Sequence, residues 1–425
     1  MTVASLRPAT AHGRVAAPPS KSYTHRLLLA AHLSGRSSRV LHPLVSDDTL
    51  TTARALRRLG SAVRLGRSVW SVAPGDPPRA GRPVVIDCGE SGTTLRLLTA
   101  AAALQGGRFR FRGAGRLPRR PMRPLLDALR SLGAEVVEAR PPSVLPMDVQ
   151  GPIHGGPVRL PVGESSQFTS ALLFALPTVR PASFVRTVGE PVSEPYVRAS
   201  VAVLTAHGIR IVAGHGGYRI AGGQSYRPVD EAVPGDASSA AYLWSAAAIT
   251  GGAVIVDGVP SELPQADLAV LDLLRRYGAS VRRRGAAVSV VGDRRRPFRI
   301  RLTDAPDLFP LAGVLAGAAL GQSELLGAAH VAAKESDRKR ETARLVRAMG
   351  GRVVVGSESV RISGVARPRA LRLRGLLDHR LVMSAAVAAA AADGPSSIGD
   401  AAAVRKSFPG FFDTFARLGV EARVA

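Results

Sequence analysis

Short polar clusters between long apolar runs offer Lys21, Arg26, Arg96, Arg120, Lys334, Arg338, Arg380 and Lys406 as cations, with Asp307, Glu335 and Asp378 as acids. The clusters are PPSKSYTHR (18–26), CGESGTTLR (88–96), RLPRRP (116–121), ESSQFTS (164–170), SEPYVR (193–198), APDLFP (305–310), KESDR (334–338), LDHR (377–380) and RKSFPGFF (405–412). This is far more cation than a helix start requires. Two or more small anionic groups, phosphate and carboxylate, account for it economically, with Arg supplying bidentate forks and Lys point charges. The acids beside them are candidates for proton transfer. Of 57 basic residues only four are Lys (Lys21, Lys334, Lys339 and Lys406). Where Arg is the default cation, a Lys marks a place that wants a compact ammonium or a titratable amine.

The clusters recur at a fixed period, which defines the elements that must hold them. Gly60, Gly133, Gly208, Gly278, Gly350 and Gly419, spaced 73, 75, 70, 72 and 69 residues apart, each follow a helix-like segment and precede two short apolar strands. Lys21, Gly92, Ser165, Asp236, Asp307 and Asp378, spaced 71, 73, 71, 71 and 71 apart, each open an Ala/Leu-rich run. The chain is therefore about six copies of one unit. In the fifth, DLFPLAGVLAGAAL reads as a buried helix, SELLGA as a strand and AKESDRKRETARLVRAMGG as an amphipathic helix, with Ala343, Val346 and Met349 on one face. RVVVG and SVRISG make a hairpin, and FRIRLT (298–303) supplies a first strand, giving the order β-α-β-α-β-β. The first helix of each unit, apolar nearly all round, is expected on the inside. Two groups of three such helices would present N-termini with unpaired N–H groups and partial positive charge, a setting for an anionic ligand. N-capping explains a Ser or Asp at each start, though not the charges around it.

At 425 residues the chain has room for two or three domains. An apolar content of 46% with 4% aromatics predicts cores of Ala, Val and Leu and excludes disorder. The net charge of +25 raises nucleic acid as a partner. Arg is, however, spread along the sequence without a basic tail or interleaved aromatics, which reads as a solvated surface. A single cysteine, Cys88, excludes an internal disulfide framework and a Cys-rich zinc site. No His has ligand spacing, so neither metal nor cofactor is expected. Residues 237–256 are uncharged, but Ser238, Ser239, Gly251 and Gly252 make them a buried helix, a turn and a strand rather than a membrane span. The opening MTVASLRPATAHG has no apolar signal core. The expectation is a soluble cytoplasmic monomer.

With these motifs in this order, from SKSYTHR to RKSFPGFFDTFARLG, the whole chain resembles the 5-enolpyruvylshikimate-3-phosphate synthase family. The resemblance implies an α/β fold of two similar domains, each of three βαβαββ repeats, in the inside-out α/β barrel of the enolpyruvyl transferases. One domain would span residues 18–232 and the other 1–17 plus 233–425, closing on substrate with the active site in the cleft between them. The implied reaction moves the enolpyruvyl group of phosphoenolpyruvate to the 5-hydroxyl of shikimate 3-phosphate and releases phosphate through a tetrahedral ketal, on the route to chorismate and aromatic amino acids. By position, Lys21, Ser22, Arg26, Ser165, Ser166, Gln167, Ser193, Tyr196, Asp307, His330 and Lys334 would meet shikimate 3-phosphate. Lys21, Gly92, Arg120, Gln167, Arg338, Arg380 and Lys406 would meet phosphoenolpyruvate, and Glu335 matches the family's acid–base glutamate. Glu90 and His330 stand where many members have Asn, and Glu194 sits between Ser193 and Tyr196.

An alcohol is a poor nucleophile, so a base is needed near the 5-hydroxyl, and Asp307 is the candidate. Lys21 and Glu335 are candidates for delivering the proton to C3, and the Arg cluster would stabilise charge on the ketal. Other acceptors stay open, namely UDP-N-acetylglucosamine or a shikimate-like cyclitol. The UDP-N-acetylglucosamine enzymes carry a reactive Cys or Asp in a loop corresponding to about 112–120, where RGAGRLPRR has neither. A basic nucleic-acid-binding protein would explain the charge but leaves Asp307 and Glu335 without a role.

Overall fold

The computed structural model describes residues 2–77, 81–327 and 329–425. The chain divides into two compact units, Lys21–Val233, and Met1–Ser20 together with Pro234–Ala425. The first contains helices α1 (Lys21–Leu33), α2 (Asp47–Arg58), α3 (Gly92–Ala102), α4 (Arg123–Ser131), α5 (Ser166–Ala175) and α6 (Glu194–Ala206). The second contains α7 (Ala237–Thr250), α8 (Val270–Tyr277), α9 (Phe309–Gly317), α10 (Arg338–Ala348), α11 (His379–Ala390) and α12 (Phe411–Arg417).

One module shows the repeat. Val84–Asp87, α3, Arg108–Arg112, α4, Glu135–Val137 and Met147–Gln150 follow one another, and the sheet runs first, second, fourth, third. The first two strands are parallel, as a helical crossover requires, and the other pairs are antiparallel. The same order recurs in the sheets begun by Pro157–Pro161 and by Arg299–Arg301. All six periodic glycines adopt positive φ, between 83° and 110°, just beyond their helices, where other residues would be strained.

The apolar periodicity sorts the helices. All twelve residues of α11 and thirteen of the fourteen in α7 are buried, whereas α10 buries five of eleven. The first kind is therefore central and the second lies outside. In one unit α3 packs on α1 and α5, and in the other α7, α9 and α11 pack on one another. Small residues set the spacing: a Cβ at Gly313 of α9 would fall inside the Thr342 side chain of α10.

Three features refine the sequence reading. His12–Ala16, the strand before α1, pairs in parallel with Ala253–Asp257, while Asp230–Ala232, the strand before α7, pairs in parallel with Ser38–Leu41. Each strand stays in the unit that the chain is leaving. The units accordingly part at Ser20/Lys21 and Val233/Pro234, because Ser20 N donates to Pro234 O at 2.7 Å and Pro19 bridges to Gly235. Second, Val3–Leu6 inserts between Ser396–Gly399 and Ala422–Val424, taking the place of the last module's final strand. Third, α10 starts only at Arg338, since Asp337 caps it by accepting from Arg340 N at 3.2 Å. Lys334 and Glu335 are thus on a loop rather than a helix, and Asp307 lies in a short 3-10 turn, Pro306–Leu308, ahead of α9.

Candidate active site

In the unit Lys21–Val233 the predicted residues gather at the starts of α1, α3, α5 and α6. Lys21 and Gly92 are the first residues of α1 and α3, and Ser165 caps α5, its Oγ accepting from Gln167 N at 3.3 Å. Arg26, buried at 3% exposure, ties α1 to α6. Its Nε donates to Ser200 Oγ, its Nη1 to Ser22 O and its Nη2 to Tyr196 O, each at 2.9 Å. Burial lowers its pKa to about 10, so it remains a cation at neutral pH. Three of its five N–H groups are used, which leaves two for a ligand.

Arg96 likewise joins α3 to α5, with Nη1 donating to Gln167 Oε1 at 2.8 Å, Nε and Nη2 donating to Pro121 O, and its guanidinium over the Phe168 ring at 5.4 Å. Gln167 in turn donates to Thr93 Oγ1 at 3.0 Å. A Cβ on Gly92 would stand 2.8 Å from Arg120 Nη1 and 3.0 Å from Arg96 Nη1, so a larger residue there displaces a guanidinium. Ser193 precedes α6 in a left-handed conformation (φ 58°), and its buried Oγ has no hydrogen-bond partner among the described residues. A non-glycine residue held there stores strain of about 1–3 kcal/mol, a common mark of a ligand contact. Lys21 Nζ donates to Asp48 Oδ2 at 3.2 Å, a partner the sequence reading missed.

The second group lies in the other unit, around Asp307. Its Oδ1 accepts from Arg338 Nη1 at 2.6 Å and its Oδ2 from Arg380 Nη2 at 2.9 Å. Arg338, at 1% exposure, also donates from Nε to Asp378 Oδ2 and from Nη2 to Glu335 Oε2, both at 2.9 Å. Burial alone would raise the Asp307 pKa, but Arg380, Arg338 and Lys334 outweigh it and hold the carboxyl well below its ordinary value. Burial pulls Arg338 the other way, and Asp378, Asp307 and Glu335 together keep it more firmly protonated than a free guanidinium. His330 is pushed down to about 4, by burial first and then by Lys334, so it is neutral at pH 7; its Nε2 is buried without a partner among the described residues. Lys406 ends a 3-10 turn, Ala401–Lys406, packed on α11. Tyr242 was not foreseen. It is buried, pushed up to about 12 by that burial, and electrostatically coupled to Arg380.

Chemically, one group offers N–H and O–H donors with cations, and the other offers an ionised carboxylate set among guanidinium groups. Cys88 is buried, and burial pushes its thiol far up, so it is no nucleophile. Among the described residues no set of His, Cys, Asp and Glu could hold a metal ion, and no helix is long and apolar enough to cross a membrane.

Residues 7–415 match the model of the family described as EPSP synthase (3-phosphoshikimate 1-carboxyvinyltransferase). A 3-phosphoshikimate 1-carboxyvinyltransferase of Halobacterium salinarum is 40% identical, with 98% of this chain and 99% of that one aligned. One from Methanocorpusculum labreanum is 38% identical over 97% of each. The solved EPSP synthase from Acinetobacter baumannii superposes with a TM-score of 0.83 at 24% identity, covering both chains fully. The enolpyruvyl transferase NikO from Streptomyces tendae gives 0.81 at 18% identity, covering 100% of this chain and 99% of that one. The likeness to the two solved structures establishes the enolpyruvyl transferase fold.

Proposed function

The chain belongs to the EPSP synthase family and carries its activity, 3-phosphoshikimate 1-carboxyvinyl transfer from phosphoenolpyruvate in the shikimate pathway; on that premise we propose how its residues divide the reaction. Asp307 takes the proton of the 5-hydroxyl. The observation that carries this is its ionised carboxylate, gripped by Arg338 at 2.6 Å and Arg380 at 2.9 Å, with a second lone pair on each oxygen. Such a carboxylate is a weak base, and a weak base suffices. The hydroxyl becomes strongly acidic only as its oxygen bonds to C2, so the proton leaves in step with that bond.

Glu335 and Lys21 are the two groups that can deliver a proton to C3 and take one back as phosphate leaves. Gly92, Arg120, Gln167, Arg338, Arg380, Lys406 and Lys21 hold phosphoenolpyruvate and offset charge on the tetrahedral ketal. Lys21, Ser22, Arg26, Ser165, Ser166, Gln167, Ser193, Tyr196, Asp307, His330 and Lys334 hold shikimate 3-phosphate. The buried, unpartnered Ser193 Oγ and His330 Nε2 support that second set. The active form is proposed to be a cytoplasmic monomer, which light scattering tests.

Phosphate release with phosphoenolpyruvate and either shikimate 3-phosphate or UDP-N-acetylglucosamine tests the acceptor. Release is expected with shikimate 3-phosphate alone. Release with the nucleotide sugar and none with shikimate 3-phosphate would overturn the reading.

A further inference from the structure

We propose that Asp48 is a positioning residue of the active site, holding the Lys21 side chain in one direction. The proposal rests on the reading of Lys21 as an active-site group. Lys21 Nζ donates to Asp48 Oδ2 at 3.2 Å, and both side chains are mostly enclosed, at 15% and 13% exposure. An ion pair this sheltered escapes most of the solvent screening that makes surface pairs weak. Nζ has three N–H groups, and Asp48 takes one. Two are left for anions.

Asp48 can act as a fixed point because α2 is anchored. It sits in the first turn of α2, where the helix dipole favours an anion, behind a capping box between Ser46 and Thr49. Below it runs a buried hydrogen-bond chain joining three helices. His25 Nδ1 of α1 lies 2.7 Å from Thr52 Oγ1 of α2, Thr52 Oγ1 lies 2.6 Å from Thr94 Oγ1 of α3, and Thr94 Oγ1 donates to Ser91 Oγ at 2.7 Å. Counting hydrogens fixes its direction. Thr94 spends its hydrogen on Ser91, so Thr52 donates to Thr94, and His25 donates from Nδ1. Burial pushes the His25 pKa well down, so the ring is neutral and the chain keeps that sense. The starts of α1 and α2 therefore cannot slide past each other, and neither can Lys21 and Asp48.

The test uses a signature that a merely structural residue would not give. Asp48→Asn keeps the shape and removes a negative charge from beside an anion site. The expected result is a kcat lower by roughly 10- to 100-fold, as for a misplaced group, with a KM for phosphoenolpyruvate that does not rise and an unchanged thermal midpoint. A kcat within twofold of wild type, or a KM rising together with a falling midpoint, would overturn the proposal. Single-turnover rates supply the second arm: Lys21→Gln with Asp48→Asn should match Lys21→Gln alone within twofold, and an additive loss counts against it. If Asp48→Asn does not fold, Asp48→Glu carries the test, since it keeps the charge and moves it by one methylene; kcat should fall without a rise in KM, and an unchanged kcat sinks the idea. Lys21→Gln with near wild-type rates would remove Lys21 from the site. Lys21→Gln crippled while Asp48→Asn is ordinary would remove Asp48 alone.

Discussion

At the scale of single residues, the decisive arrangement is a carboxylate among guanidinium groups. Asp307→Asn preserves shape and one acceptor but removes the charge. The expected outcome is a kcat loss on the order of a hundredfold or more with a modest change in KM, and little tetrahedral intermediate in rapid-quench samples. An ordinary kcat would reduce Asp307 to a helix-start residue and move attention to Glu335. The carboxyl is held well below its ordinary 3.8, so it is already ionised throughout the weakly acidic range, and any loss of activity between pH 7 and 5 must come from another group. Gly92→Ala makes a different prediction. The new Cβ would sit 2.9 Å from Arg120 Cζ and 3.0 Å from Arg96 Nη1, so a guanidinium at the site has to shift. Initial rates should show a KM for phosphoenolpyruvate about tenfold higher and a KM for shikimate 3-phosphate within twofold. Equal changes in both would mean that Gly92 spaces helices and does not seat an arginine. The clustering of charge at helix starts was legible in the sequence because Lys, Arg and Asp interrupt Ala/Leu runs at a fixed period. Asp48 was not legible, because an Asp in the first turn of an amphipathic helix is what the helix dipole alone selects.

At the scale of elements, α1 carries its own acid sensitivity. Burial pushes His25 well below 6.5, and His32, with Nδ1 2.7 Å from Ser61 Oγ, down to about 4. Both are neutral when folded and titrate near 6.5 when unfolded, so the unfolded chain binds more protons between pH 6.5 and 4. The stability they contribute is complete above pH 6.5 and is lost as pH falls through that window. Thermal midpoints of wild type and His32→Gln across pH 4–7 check this. The variant should show the shallower slope, and parallel slopes would exclude His32 as a contributor. Element boundaries were read well where a glycine ends a helix, since all six periodic glycines take positive φ. The start of α10 was misread because KESD is helix-compatible in composition, and only the Asp337 cap reveals where the helix begins. Which strands His12–Ala16 and Asp230–Ala232 pair with was not legible, since both are short strands ahead of an inner helix and nothing in their sequences names the partner.

At the scale of the whole molecule, the charge of +25 is less even than a reading by motif suggests. Residues 275–301 hold ten arginines and one acid, on the end of α8, the strands Ser280–Arg284 and Arg299–Arg301 and the loop that follows the strand Ala287–Val291. Part of that charge is already engaged, as Arg276 pairs with Asp272 at 2.7 Å and Arg299 with Glu324 at 2.8 Å. Random duplex DNA should therefore bind weakly near 50 mM salt and be released by about 200 mM, without sequence preference, in fluorescence anisotropy. Retention at the higher salt would show a nucleic-acid function that the enzyme activity does not explain. The pairing of Val3–Leu6 bears on biogenesis. Its neighbours on both edges, Ser396–Gly399 and Ala422–Val424, are translated almost a whole chain later. The unit Lys21–Val233 can finish its sheets once Asp230–Ala232 leaves the ribosome, but Val3–Leu6 waits unpaired until Ser396–Gly399 and Ala422–Val424 have been made. Throughout that interval it is an edge-seeking segment on a nascent chain, the kind of substrate that a holding chaperone must shield if the polypeptide is to escape aggregation.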